Sequence, residues 1–308
     1  MATSSKDLTC RLWDLETRKC IAIGEGHTDA VGSIGISQKP STYLSKKAFI
    51  VTGAMDKVLK KWPISLSLNV KSIAPSKLIS SDSVRAHDKD INTIAVSPND
   101  SLIATGSQDK LIKLWNSANL SAVATLTGHR RGVWKVVFSP VDKCLVSCSG
   151  DRTMKLWSVV DFTCLQTFEG HSASVLSVKF VNKGMQLISG SADGLLRLWT
   201  IRTGECENTF DKHSDRVWAI ATSNHHESFF ISGGSDSQIN LWKDTTELEE
   251  NKRLALIEEN VKIEQELHND IKHKRFGEVR NMIYTYINIH FIPLSYVILL
   301  RRIYFVYA

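Results

Sequence analysis

Apolar positions along the first 243 residues fall in short runs of β-branched and aliphatic residues, separated by Gly, Ser, Asp and Pro. The stretch from Gly128 to Phe168 shows the rhythm. Gly128-His129 opens it, and Val133–Phe138 reads as a first strand. Ser139-Pro140-Val141-Asp142 is a turn, and Cys144–Ser149 is a second strand. Gly150-Asp151-Arg152 is a tight turn, a third strand ends at Leu156-Trp157, and a fourth lies around Cys164–Phe168 before Gly170-His171. Runs of this length bounded by turn residues predict strands, because Gly, Asp and Pro accept turn dihedrals that branched residues avoid.

The unit repeats. Six aspartates each stand six residues before a tryptophan: Asp7/Trp13, Asp56/Trp62, Asp109/Trp115, Asp151/Trp157, Asp193/Trp199 and Asp236/Trp242. From Trp115 onward the spacing is 42 or 43 residues. A unit of that length with four strands and a terminal tryptophan resembles the WD40 repeat, which implies an all-β chain folded as a β-propeller. Five fuller blades and one partial blade are expected, from a seven-bladed ring, followed by a C-terminal α-helical segment.

Polar residues recur with the same period. The sets are His27/Thr52/Asp56/Trp62, His87/Thr105/Asp109/Trp115, His129/Ser147/Asp151/Trp157, His171/Ser189/Asp193/Trp199 and His213/Ser232/Asp236/Trp242. In each, an indole N–H can donate to the hydroxyl, the hydroxyl to the imidazole, and the imidazole N–H to the carboxylate. Buried imidazole and carboxylate are costly unless satisfied together, so the four are expected as a structural tetrad. A Ser-His-Asp hydrolase triad is the competing reading, but recurrence in five units argues against it.

Trp134 and Trp218 lie outside this period, five residues after His129 and His213. They read as blade packing or as partner-binding hot spots, where aromatics and arginine dominate. Lys89, Arg130, Arg131 and Arg216 follow repeat histidines, and Lys57, Lys110 and Arg152 follow turn aspartates. Loops of both kinds are expected on one face as a basic rim, open to protein or RNA phosphate. A second basic series stands two residues before the tryptophan (Arg11, Lys60, Lys113, Lys155, Arg197) and reads as repeat consensus. His225-His226 reads as a solvated turn, and no metal, cofactor or small-molecule substrate is expected.

A net charge of +6 is mildly basic, and 43% hydrophobic with 23% charged residues is ordinary for a globular chain. Cys20, Cys164 and Cys206 each stand seven residues after a repeat tryptophan, so they fall in separate blades, beyond the roughly 7 Å a disulfide spans. With no CxxC pair of zinc spacing, the six cysteines read as reduced structural thiols.

Composition divides the chain into three. Residues 1–243 carry the repeats. Residues 244–280 are Glu/Lys-rich, with Leu254, Ile257, Val261, Leu267 and Ile271 at helical spacing. Residues 281–308 form an aromatic and aliphatic tail broken by Pro293, read as an aberrant extension, with a membrane span as the alternative. Residues 1–14 supply the end of a second strand and a third strand, and nothing after Trp242 reads as a fourth. The expectation is an incomplete ring with two unpaired faces, an aggregation liability.

The junction from Leu241-Trp242-Lys243-Asp244-Thr245-Thr246-Glu247 through Glu264-Gln265-Glu266-Leu267-His268-Asn269 to Lys274-Arg275-Phe276 resembles the transducin-beta-like 3 family. Arg130-Arg131-Gly132-Val133-Trp134 resembles that family's second propeller. The resemblance covers residues 1–280, and departs from the family in lacking a first propeller upstream and helices after Phe276. It implies a non-enzymatic scaffold of the nucleolar small-subunit processome. Its partners would be other WD40 subunits, U3 small nucleolar RNA and pre-ribosomal RNA, acting toward 18S rRNA. The alternative is a substrate receptor of a cullin-type ubiquitin ligase. Its Trp-Asp-x-Arg signature is missed by one position at Trp13-Asp14-Leu15-Glu16 and at Trp199-Thr200-Ile201-Arg202.

Overall fold

A computed structural model describes residues 1–38, 48–64, 75–222 and 229–272. The chain divides after Lys243 into two units. In the first, strands form six sheets in chain order. Sheet 1 holds Ala2–Ser4, Cys10–Trp13 and Cys20–Gly24, with Ser76–Leu78 on its outer edge; sheet 2 holds Val31–Ile36, Phe49–Ala54, Val58–Pro63 and Asp82–Arg85. Sheet 3 holds Ile91–Val96, Leu102–Ser107, Ile112–Asn116 and Ala122–Leu126; sheet 4 holds Val133–Phe138, Cys144–Ser149, Thr153–Ser158 and Cys164–Glu169. Sheet 5 holds Val175–Val181, Gln186–Ser191, Leu195–Thr200 and Cys206–Asp211, and sheet 6 holds Val217–Thr222, Phe229–Gly234 and Ile239–Lys243. All pairings in these sheets are antiparallel except that of Ser76–Leu78 in sheet 1, and the first strands pack side by side from sheet 2 to sheet 6. These are the blades of a β-propeller.

Blade 1 is partial as the sequence expected: Ala2–Ser4 and Cys10–Trp13 take the second and third places of the repeat, and the sheet reaches four strands through an addition at its outer edge. Ser76–Leu78, from the long insertion in the blade 2 repeat, pairs in parallel with Cys20–Gly24 (Ala22↔Ser76, Ile23↔Lys77, Gly24↔Leu78). Among the described residues, the blade with three strands is blade 6.

Two bulges recur inside the blades. The first strand skips one residue, between Val31 and Ser33, Val133 and Lys135, Val175 and Ser177, and Val217 and Ala219. The third strand shifts register at its tryptophan, so Trp13, Trp157 and Trp199 face Cys20, Cys164 and Cys206. The three cysteines therefore share one place in three blades, each thiol reaching the carbonyl two residues on at 3.4 to 3.6 Å. A bulge turns the extra residue out of the ladder, which re-aims its side chain.

The core lies between blades. Ile188 and Leu196 of blade 5 pack with Val217 and Ile220 of blade 6, closed by Phe210, Phe230 and Trp242. Cys144, Val146 and Met154 of blade 4 join Val175, Val178 and Phe180 of blade 5 in the same way. In blade 6 the corresponding outward face stays open, with Ile231 at 43%, Leu241 at 67% and Ile239 at 80% exposure.

In the second unit, Thr246–Lys272 is one α-helix. Leu254, Ile257 and Val261 are exposed on it. The side chains of Leu267 and Ile271, and residues 273–308, lie outside the described residues.

Candidate protein-interaction face

All five tetrads come together. Trp62, Trp115, Trp157, Trp199 and Trp242 each donate the indole N–H to the blade's hydroxyl, on Thr52, Thr105, Ser147, Ser189 and Ser232, at 2.8 to 2.9 Å. The same oxygens lie 2.7 to 2.8 Å from Nε2 of His27, His87, His129, His171 and His213. Nδ1 of each histidine meets Oδ2 of Asp56, Asp109, Asp151, Asp193 or Asp236 at 2.7 to 3.0 Å. The hydroxyls are buried, and the imidazoles are at most 1% exposed. A histidine whose Nδ1–H is fixed on a carboxylate and whose Nε2 accepts from a hydroxyl is a strut, with both ring nitrogens engaged.

Each carboxylate does more than hold its histidine. Oδ2 also accepts the backbone N–H after the histidine, from Thr28, Asp88, Arg130, Ser172 and Ser214. Oδ1 accepts the N–H two residues on, from Val58, Leu111, Thr153, Leu195 and Gln238. The aspartate thereby ties the loop entering a blade to that blade's central turn. Burial pushes the Asp151 and Asp193 carboxyls up, but hydrogen bonds and charge from His129 and His171, with the backbone donors, hold both well below the usual carboxylate range. Burial pulls the His27 and His87 imidazoles below their ordinary value, against the opposing effect of Asp56 and Asp109.

Two features of this face were missed from sequence. Ser107, Ser149 and Ser191, two residues before the turn aspartates, are fully buried, and each accepts the aspartate's own N–H at 3.1 to 3.2 Å. Ser149 also donates to a carbonyl of the entering loop, at Arg131 or Gly132, 3.0 Å away. Their signal was the recurring Ser-x-Asp of Ser107-Gln108-Asp109, Ser149-Gly150-Asp151 and Ser191-Ala192-Asp193. In addition, the residue after each aspartate is left-handed: Leu8, Lys57, Lys110, Arg152, Gly194 and Ser237 have φ of 62° to 81°. The turn fixes this conformation, so Lys57, Lys110 and Arg152 hold it at some strain, whereas glycine at 194 holds it freely.

The basic residues expected on the rim do stand on the loops the tetrads gather, and all but the half-buried Lys57 are exposed. The rim is mixed in charge, however, because Asp29, Asp88, Asp90 and Asp215 stand in the same entering loops. Blade 4 is the exception, with Arg130, Arg131 and Arg152 around the single carboxylate of Asp151. Of the second basic series, Lys60 and Lys113 donate to the carbonyls of Gly26 and Ala86, just before the repeat histidines. Lys155 donates instead to Thr167.

Trp134 and Trp218 occupy the bulged position of blades 4 and 6, and blade 5 places the buried Leu176 there. The two indoles meet edge to face across that blade, with centroids 6.4 Å apart at 79°. Trp134 is half-buried against the blade 4–5 core and lies near Gly150 and Arg131, where a Cβ on Gly150 would sit 3.4 Å from the indole nitrogen. Trp218 is 47% exposed, with its N–H held by Ser235 at 2.6 Å. A braced indole beside arginines offers rigid apolar area with a polar edge, the combination that dominates protein interfaces.

No group of three potential metal ligands occurs among the described residues, and no described helix is long and apolar enough to cross a membrane. His225 and His226 lie outside the described residues. The six cysteines are free, and burial pushes the Cys148 thiol up to about 12 and that of Cys10 up to about 11.

Known proteins carry the same frame. The family model for the WD domain, G-beta repeat, matches residues 78–116, 120–158, 162–200 and 204–243, about half of the chain. Transducin beta-like protein 3 of Mus musculus is 47% identical over 137 residues, 42% of this chain and 16% of the mouse protein. U3 small nucleolar RNA-associated protein 13 of Saccharomyces cerevisiae is 39% identical over 138 residues, 42% of this chain and 16% of the yeast protein. The ribosome biogenesis protein WDR12 homolog of Oryza sativa subsp. japonica is 30% identical over 115 residues, 37% of this chain and 24% of the rice protein. The aligned stretch is thus a small part of each relative's length.

Proposed function

The chain belongs to the WD40-repeat family, and from that premise we propose that it is a non-enzymatic scaffold of ribosome biogenesis, acting in the small-subunit processome on pre-rRNA leading to 18S rRNA. One observation carries the reading: identity of 39 to 47% to proteins named as transducin beta-like protein 3 and U3 small nucleolar RNA-associated protein 13. The rice relative's name supports the same process. The tetrads agree with a scaffold, since every ring nitrogen of the five histidines is engaged in holding loops. The residues proposed for contact are Trp218, Trp134, Arg130, Arg131, Arg152 and Arg216, with Lys57, Lys89 and Lys110 on neighbouring blades. Residence in the nucleolus and partners among WD40 subunits and U3-containing particles follow from this reading. Protein contacts carry most of the affinity, because the face offers braced aromatics and mixed charge rather than a continuous basic track.

The test is affinity purification of the tagged chain, together with depletion. U3 RNA and other propeller subunits should co-purify, and depletion should stall early cleavage toward 18S rRNA. Trp218→Ala should remove a hot spot worth about 2 kcal/mol or more of protein binding, with folding retained. Arg130→Glu with Arg131→Glu should weaken any RNA contact, in a manner that depends steeply on salt. Intact pre-rRNA cleavage together with accumulation of a ubiquitylated target would replace the scaffold with a ligase receptor.

A further inference from the structure

The first strands of blades 2 to 6 curve round a cavity of about 570 Å³. It lies toward the ends of those strands marked by Gln38, Pro98, Pro140 and Gly184, away from Trp134 and Trp218. Its walls are mostly aliphatic, and among the described residues its charged lining is Lys135, Lys179 and Lys183, with no carboxylate. Lys135 and Lys179 stand on adjacent strands of blades 4 and 5 and are both half-buried. Among the described residues neither ammonium has a hydrogen bond or ion pair. Cys148, beside Lys135, is a thiol held protonated by burial, so it supplies no counter-charge. Burial and the charge of Lys135 together pull Lys179 below its ordinary value, the mark of like charges held close without compensation.

We propose that this channel is a binding site for a small polyphosphorylated anion, held by Lys135 and Lys179. Two lysines with no partner among the described residues, in a cavity whose described lining holds no carboxylate, repel one another until an anion sits between them. Lysine ammonium is a compact point charge suited to phosphate oxygens from many directions. The volume is that of a small-molecule site, roughly 300–1,000 Å³, and phosphates flanked by aliphatic walls suit its composition. The shared chemistry is a chain of two or three phosphates, whether inorganic or part of a nucleotide. This site is independent of the aromatic face and of the ribosome-biogenesis reading.

The experiment titrates the purified full chain with inorganic tripolyphosphate, ATP and orthophosphate, each against sodium chloride at matched ionic strength. Binding is followed by calorimetry and by acylation footprinting of lysines. Tripolyphosphate should bind more tightly than orthophosphate and slow acylation of Lys135 and Lys179 at least tenfold, leaving exposed Lys110 unchanged. Lys135→Gln with Lys179→Gln should weaken binding at least tenfold, and Lys135→Arg with Lys179→Arg should retain it. Equal affinity for ATP and tripolyphosphate assigns recognition to the phosphates alone, and preference for ATP adds a nucleoside subsite; both support the site. Footprinting on the unaltered protein keeps the test open if a variant fails to fold. A thermal or calorimetric response no larger than that to sodium chloride overturns the proposal, as does unchanged binding by the Gln variant. Protection seen with long RNA but not with tripolyphosphate overturns it as well.

Discussion

Blades 5 and 6 are built on the same frame and differ in what covers them. Both close the tetrad to the same geometry, with His171–Asp193 at 3.0 Å and His213–Asp236 at 2.9 Å. Both fix the tryptophan on a serine at 2.8 Å. Yet Ile188 and Leu196 of blade 5 are 0% exposed, while Ile231 and Ile239 at the same places in blade 6 are 43% and 80% exposed. The polar network is therefore a property of one blade, and apolar burial is a property of two. Blade 6 also places Asn240 where the other blades carry Lys or Arg, and its amide reaches His213 at 3.1 Å. The tetrad thus gains a local contact in the blade with the least cover.

The sharpest test of this division is a matched pair of truncations. Leu196→Ala should cost about 2–5 kcal/mol, the range for deleting a buried leucine, whereas Ile239→Ala should stay within about 0.5 kcal/mol. Urea denaturation of the two variants checks this, and equal losses would mean that blade 6 is covered in solution. Next in size, Asp193→Ala should cost about 1–3 kcal/mol by stranding His171, with no effect on any chemistry. His213→Ala should destabilise blade 6 as clearly as His171→Ala does blade 5; hydrogen exchange resolved by blade would show whether the tetrads are independent.

Acid should separate the components of the tetrad. His27 and His87 have folded values below the unfolded value of roughly 6.5, so the unfolded chain takes up those protons first. Stability should decline as pH drops below that value. Folded Asp151 and Asp193 lie below the unfolded carboxylate value of roughly 3.9. Their contribution is whole above that pH and is lost as pH falls through the folded values. Urea midpoints across this range check both stages, and a profile flat from roughly pH 7 to 5 would remove the histidine stage. The smallest effect is expected for Ile239→Thr with Leu241→Thr. It should leave the thermal midpoint nearly unchanged while reducing self-association measured by light scattering.

The repeat was legible because its chemistry is local. A histidine, a hydroxyl, an aspartate and a tryptophan at fixed spacing can satisfy one another within one sheet, and sequence spacing alone brings them close. The helix over Thr246–Lys272 was legible from periodicity and composition. Features made by neighbours were not. The strand Ser76–Leu78 is three residues long, too short for any period, and its partner lies more than fifty positions away. The mixed charge of the rim became visible when Asp29, Asp88, Asp90 and Asp215 were placed on the loops already read for their lysines and arginines. Lys135 and Lys179 carry no signal of their own in the sequence, because only the curvature of five blades brings them to one space.

That same short strand changes how the propeller comes apart. Adjacent blades elsewhere grip through side chains, a contact that can slide or peel one pair at a time. Here the main chain leaves blade 2 after Pro63, hydrogen-bonds along the rim of blade 1, and returns to complete blade 2 at Asp82–Arg85. The two blades are sewn by a single thread, so a pull on either is borne by backbone hydrogen bonds in both. Under load or heat they should yield together as one cooperative block, while blade 6, which has no such thread among the described residues, frays first.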